Sequence, residues 1–213
     1  MTPARALGAG LLLTATAGFS DGVGFLALGG FYTSFMSGNT TQLGAGMATG
    51  SGSIVLLAAS LIALFFIGGF LGTLGAQASA RFGPAIALVI VLAALAVSLG
   101  LTASGHPAQQ SMLALAAAAG AQNAVLQPIG AARLGATFVT GTLFAAGQDL
   151  ARATVGGAPP WRWLQHLMIW AALAAGALVG ALAYSRLQMG ALGFPAAVYF
   201  GCVVWFVFRP AKT

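Results

Sequence analysis

Hydrophobic residues along the chain gather in long blocks. Six stretches are apolar and nearly free of charge, at about 6–30, 53–78, 83–103, 111–127, 163–183 and 190–208. A helix that crosses a bilayer needs roughly 17–25 such residues, so the pattern predicts six crossings. The linkers are short and carry the polar and chain-reversing residues: Arg81 with Phe82, Ser104-Gly105-His106-Pro107, Pro128 to Arg133, and Tyr184-Ser185-Arg186. Gly and Pro punctuate such linkers because one tolerates turn conformations and the other cannot continue a helix. Arg5, Leu11 to Leu13 and Ala15-Thr16-Ala17 imitate a secretory signal. The apolar run continues to Gly30, so the first stretch is expected to be an uncleaved crossing.

Two further stretches have helical character but are too polar for ordinary crossings: Ser34 to Thr49 and Thr137 to Arg152. They resemble each other at an offset of 103 residues, pairing Phe35 with Phe138, Ser37 with Thr140, Gly38 with Gly141, and Gly44 with Gly147. The same offset carries 53–78 onto 156–181 and 83–103 onto 186–206, and a one-residue adjustment sets Gly18-Phe19-Ser20-Asp21 on Gly120-Ala121-Gln122-Asn123. The consistent order predicts an internal duplication within one transmembrane domain, 1–213, with repeats of about 1–104 and 105–213. Weak internal symmetry of this kind is common in transporter folds.

The basic residues decide how the polar stretches sit. If both cross the membrane, eight spans divide the Lys and Arg residues five to three. If each dips in and returns, six spans place Arg5, Arg81, Arg133, Arg152, Arg162, Arg209 and Lys212 on one side and leave only Arg186 opposite. Cytoplasmic loops collect Lys and Arg, so seven to one favours six spans with both termini cytoplasmic. The lengths agree. Half of a hydrocarbon core is ~15 Å, covered by about five extended residues at ~3.3 Å each and about ten helical residues at ~1.5 Å each. Segments 32–37 then 40–49, and 134–139 then 142–151, fit that dip. The expected fold is therefore an all-α integral membrane protein with six transmembrane helices in two inverted three-helix repeats. Each repeat holds a polar segment that re-enters or forms one limb of a broken helix.

Composition narrows the chemistry. Of 213 residues, 59% are hydrophobic and 5% charged, against about 25% charged in a soluble domain, so the expected surroundings are lipid. The net charge of +6 is thinly spread, and nucleic-acid binding needs a clustered basic stripe, so no nucleic-acid partner is expected. Cys202 lies in an apolar run, and neither His106 nor His166 has a second ligand at metal-binding spacing. No metal or other cofactor is expected. No nucleophile elbow, phosphate loop, zinc-protease helix or carboxylate pair is present, which makes an intramembrane enzyme the least favoured reading.

The candidate chemistry lies in the polar blocks. Ser37-Gly38-Asn39-Thr40 and Thr140-Gly141-Thr142 are expected near the midplane at the starts of short helices. Unpaired N–H groups and the positive dipole end there favour an anion or a carbonyl oxygen. The bland reading is that these side chains only cap the half-helices. Asp21 is the one acid inside a clear crossing; such a carboxylate is costly in lipid and should be paired, protonated or interior-facing. It is either a proton- or cation-coupling site or a structural hydrogen-bond acceptor. Its counterpart Asn123 cannot titrate, and Gln122 and Gln42 are weaker members of the same cluster. Gly18 with Gly22, Gly68 with Gly72, and Gly176 with Gly180 form small-xxx-small pairs for close helix packing. Asp149 and Arg152 read as a local ion pair, and Trp161, Trp163 and Trp205 as interfacial anchors.

With these motifs in view, the chain resembles the YoaK-like family of bacterial inner-membrane proteins. The resemblance rests on Ala17-Gly18-Phe19-Ser20-Asp21-Gly22, Phe35-Met36-Ser37-Gly38-Asn39-Thr40, Gly120-Ala121-Gln122-Asn123-Ala124 and Thr137-Phe138-Val139-Thr140-Gly141-Thr142. It covers essentially the whole chain and departs at Ala136, where the family more often has threonine. It implies an inner-membrane location and this fold class, and carries no activity. The expected function is a transporter or channel for a small solute. Its site would be Asp21, Ser37, Gly38, Asn39, Thr40, Gln122, Asn123, Thr140, Gly141 and Thr142, with proton or cation coupling at Asp21. The competing expectation is a non-transporting scaffold or accessory subunit. Glycine-rich faces permit a homodimer without requiring one.

Overall fold

A computed structural model describes residues 4–125, 139–157 and 159–208, and all its regular elements are helical. The linker holding Arg133, the Thr137-Phe138 pair, Arg209 and Lys212 lie outside the described residues. Helices α1 (Ala4–Ala27), α2 (Met36–Ala48), α3 (Gly52–Gln77) and α4 (Gly83–Ala103) are followed by the short α5 (Ala108–Ser111) and α6 (Leu113–Gln122). Then come α7 (Val139–Thr154), α8 (Arg162–Leu187), a 3-10 turn (Gln188–Leu192) and α9 (Gly193–Phe208).

Four stretches are long and apolar enough to cross a membrane: Leu7–Ala27, Gly52–Gln77, Gly83–Ala103 and Arg162–Phe208. The last contains α8, the 3-10 turn and α9. Large apolar side chains such as Leu56, Phe66, Phe70, Leu178 and Phe200 point outward, as they do when lipid is the solvent. The interior is built around Val23, Leu61, Leu88, Val91, Leu95, Met112, Leu115 and Leu192.

Two of the expected apolar stretches differ from continuous crossings. The first helix stops at Ala27 rather than near Gly30, because Gly29 and Gly30 both take positive φ, 66° and 103°. That conformation costs glycine little and other residues much. Among the described residues of the stretch expected at 111–127, Ser111 ends α5 and Leu113–Gln122 form α6, with a break at Met112 and a turn at 123–125. Asn123 there donates back to the Ala119 carbonyl at 3.1 Å, a local bond that competes with helix continuation.

Two close helix pairs organise the rest. On α1, a Cβ at Gly18 would lie 2.2 Å from the Leu173 carbonyl oxygen, and one at Gly22 2.3 Å from that of Ala177. From α8, Gly176 and Gly180 meet the Ala15 and Phe19 carbonyls in the same way, so α1 and α8 run parallel with backbones in contact. Gly68 and Gly72 of α3 sit against Ala117 and Ala121 of α6, and Gly120 sits against Phe65 and Gly69, again in parallel order. Glycine is required at these positions because only its missing side chain allows the approach. Gln122 at the end of α6 reaches the Leu13 carbonyl of α1, and Ala17 and Ser20 of α1 border a narrow void together with Leu115 and Ala118 of α6.

Candidate functional site

After Ala27 the chain turns back along α1. Gly30 donates to the Phe25 carbonyl at 2.9 Å, and residues 31–35 run without helical bonds until α2 begins at Met36. This return brings Thr33 and Ser34 beside Asp21, six residues before the end of α1. Oδ1 of Asp21 accepts from the Thr33 N–H at 3.1 Å, the Thr33 hydroxyl at 2.6 Å and the Ser34 N–H at 2.8 Å; Oδ2 accepts from the Ser34 hydroxyl. Gly24 makes room for this, since a Cβ there would lie 2.5 Å from the Thr33 methyl. Asp21 is half-buried.

A second knot fixes the same segment. Asn39 is fully buried, accepts from the Tyr32 N–H at 3.0 Å and donates to the Tyr32 carbonyl at 2.7 Å. Gly38 lies under the rings of Phe35 and Tyr32, where a Cβ would come within 2.6 and 2.9 Å of them. Phe25, Tyr32 and Phe35 form a continuous aromatic group with centroid spacings of 5.1 and 5.2 Å.

A cavity of about 510 Å³ opens beside Asp21 and Ser34. It is bounded by the aromatic group, by Val139 and Thr140 at the start of α7, and by Trp170 on α8. Of the expected site residues, Asp21 and Thr140 meet here; Ser34 joins them although the sequence did not single it out. Its signal was only its place two residues before a helix.

The other candidates lie elsewhere. Ser37 and Thr40 face outward on α2, and the Thr40 hydroxyl donates back to the Met36 carbonyl at 2.8 Å. The N-terminus of α2 is largely occupied by its own chain: Met36 N–H donates to Ser34, and Gly38 and Asn39 N–H donate to Phe35. Gln122 is buried, donates to the Leu13 carbonyl at 2.7 Å and accepts from the Tyr199 hydroxyl at 2.7 Å, tying α6 to α1 and α9. Gln122 borders a narrow void of about 10 Å³ together with Ser20, Thr33 and Tyr199. Asn123 ends α6, Gly141 is exposed on α7, and Thr142 is buried.

The second acid keeps its expected partner Arg152 and gains closer ones. Asp149 is 4% exposed and takes Arg162 of α8 on both oxygens, at 2.7 and 2.5 Å, with His166 at 3.3 Å and Arg152 only at 3.5 Å. The contact within α7 is thus subordinate to a clamp between α7 and α8. The Arg162 guanidinium holds the Asp149 carboxyl down at about 2. Arg162 stands thirteen residues away across a turn, a separation that helix periodicity does not report.

The family described as "Protein of unknown function (DUF1275)" matches residues 9–205. The chain belongs to this family. A curated relative, UPF0700 transmembrane protein RA0705 of Rhizobium meliloti (strain 1021), is 34% identical over 166 residues, spanning 78% of this chain and 70% of the relative. The apolar helices agree with that relative's description as a transmembrane protein, and this member of the family is likewise a membrane protein. No solved structure matches it.

Proposed function

We propose that this protein transports or conducts a small solute, bound in the cavity at Asp21 between two inverted halves that each cross the membrane three times. The observation that carries this reading is a half-buried carboxylate on an apolar crossing helix, lining a cavity of about 510 Å³. An ionisable group at membrane depth marks solute and ion pathways more often than it serves packing.

Several contacts support the inverted halves. The α1–α8 and α6–α3 pairs repeat one pattern: Ala15 with Gly176 corresponds to Ala117 with Gly68, and Phe19 with Gly180 to Ala121 with Gly72. The first helices correspond at the adjusted offset of 102, and the third at 108 instead of 103, because the turn before α8 is longer than that before α3. Inversion requires α1 and α6 to run antiparallel, in keeping with Gln122 at the end of α6 reaching Leu13 in the first half of α1. On that orientation the short turn at 49–51 makes α2 antiparallel to α3 and parallel to α1, which favours re-entry to the face that α1 reaches. Arg81, Arg152 and Arg162 then fall at the end where α1 begins and Arg186 at the other, in keeping with cytoplasmic termini in the bacterial inner membrane. We take the YoaK-like resemblance and the matched family as one family.

The scaffold reading draws on Asn39 and Gln122, whose polar groups serve the fold rather than the cavity. Flux measurements in proteoliposomes with a broad solute panel separate the two. Transport predicts that Asp21→Asn and Thr140→Val slow the flux while Ser37→Ala and Thr40→Ala do not. If no solute moves, or if Asp21→Asn leaves flux and its pH dependence intact, the transport reading fails.

A further inference from the structure

We infer that the cavity at Asp21 selects a compact monovalent organic cation, an ammonium carrying apolar or aromatic substituents; this rests on the solute-site reading above. The first ground is charge. Asp21 is the one charged side chain lining the cavity among the described residues, and no basic residue there answers it. The second is unused acceptor capacity. A carboxylate offers about four acceptor sites over two oxygens. Oδ1 takes three hydrogen bonds and Oδ2 only one, from the Ser34 hydroxyl. Oδ2 is therefore the atom with room for an ammonium N–H or the positive edge of a quaternary head.

The third ground is the wall. Phe25, Tyr32 and Phe35 pack in series along one side, Tyr32 touching both phenylalanines, and Trp170 of α8 adds a fourth ring. Aromatic faces attract cations through their quadrupole, most strongly where water is scarce. They repel anions and offer a sugar few of the polar partners it needs. Phe25, Phe35 and Trp170 are each about two-fifths exposed, at 39%, 39% and 43%, so the rings are available to a ligand rather than spent on the core. At about 510 Å³ the space falls within the range of drug-sized sites, about 300–1,000 Å³. It exceeds what a bare metal ion or a proton would need.

The probe is benzyltrimethylammonium, compared with neutral benzyl alcohol and anionic benzoate, titrated calorimetrically into purified full-length protein in detergent. Proteoliposome flux of the same three compounds is measured alongside the broad panel. The inference predicts binding and uptake of the cation at least tenfold in preference to either other compound. It further predicts a tenfold or greater loss with Asp21→Asn and a several-fold loss with Trp170→Leu, which leaves the Asp21 hydrogen bonds alone. Trp161→Leu, outside the cavity, should change nothing. If the protein moves benzyl alcohol, benzoate or another non-cationic solute in an Asp21-dependent way and ignores the ammonium, the cation assignment is overturned while the transport reading stands. If no compound moves, both fall. Cation binding that survives both Asp21→Asn and Trp170→Leu also overturns the assignment.

Discussion

Replacing Asn39 with alanine separates a residue that holds the site from one that contacts the solute. The Asn39 side chain is fully buried and satisfies both backbone groups of Tyr32, the N–H at 3.0 Å and the carbonyl at 2.7 Å. Alanine leaves both without partners inside a membrane protein, where no water is at hand to replace them. Each polar group so stranded costs about 1–3 kcal/mol. Tyr32 is only half-buried, which favours the lower part of that range, and two groups together give about 2–4 kcal/mol. For a chain of this size one kcal/mol moves the thermal midpoint by about 2–4 °C, so a fall of about 4–16 °C is expected. Intrinsic-fluorescence melting in detergent measures it, with Thr40→Ala as the control. The Thr40 hydroxyl only bonds back to Met36 on an exposed face, and its loss should move the midpoint by about 1 °C or less. Equal midpoints for the two variants, with solute flux lost only in Asn39→Ala, would refute this reasoning and make Asn39 a solute contact.

Other consequences are as direct. Gly68→Ala or Gly176→Ala sets a Cβ 2.0 Å from a backbone carbonyl of the neighbouring helix and should cost about 1–3 kcal/mol by prying the pair apart. Gly147→Ala on α7 meets nothing within 4 Å and should be neutral or gain up to about 1 kcal/mol of helix propensity; melting curves compare them. Asp149→Asn should cost on the order of 1 kcal/mol at pH 6. Because the folded carboxyl sits near 2 against an ordinary 3.8, that contribution is present above the ordinary value and fades as pH falls through about 2. Wild-type and variant midpoints should therefore converge in strong acid, and a constant gap across that window contradicts the clamp. Accessibility reporters at Gly50 and Arg133, in a Cys202→Ala background, should label from outside and from the cytoplasm respectively under six crossings; the reverse labelling contradicts re-entry.

Much of this architecture is legible in the sequence because it follows from local composition. Apolar blocks mark α1, α3, α4, α8 and α9, and glycines four apart mark the faces where helices touch. Spacing reveals which face packs but not against what, so the crossed partnership of α1 with α8 and α3 with α6 emerges only in three dimensions. Asp21 stands out by composition alone, yet its partners lie twelve and thirteen residues on, beyond a reversal at Gly29 and Gly30. Ser34 was missed for the same reason. Asn39 and Gln122 show the converse: polar residues in apolar surroundings look like ligands, and here their side chains are hydrogen-bonded within the fold.

That last distinction rests on where the backbone of the break sends its hydrogen bonds. A non-helical segment at membrane depth needs a partner for each exposed N–H and carbonyl. Here Leu28 and Gly30 donate back into α1, Tyr32 is served at both ends by Asn39, Thr33 and Ser34 donate to Asp21, and Met36 donates to Ser34. Most of the polar chemistry around residues 28–39 is thus accounted for by the reversal of the chain after α1. Asp21 exceeds that requirement. Two backbone N–H groups could be met by an amide or hydroxyl oxygen without placing an acid in a crossing helix. An acid that also lines an aromatic-walled cavity, with acceptor capacity to spare on Oδ2, is what the proposed solute site requires and the break does not. An Asp21→Asn variant that melts like wild type while losing the ligand would express that difference in one measurement.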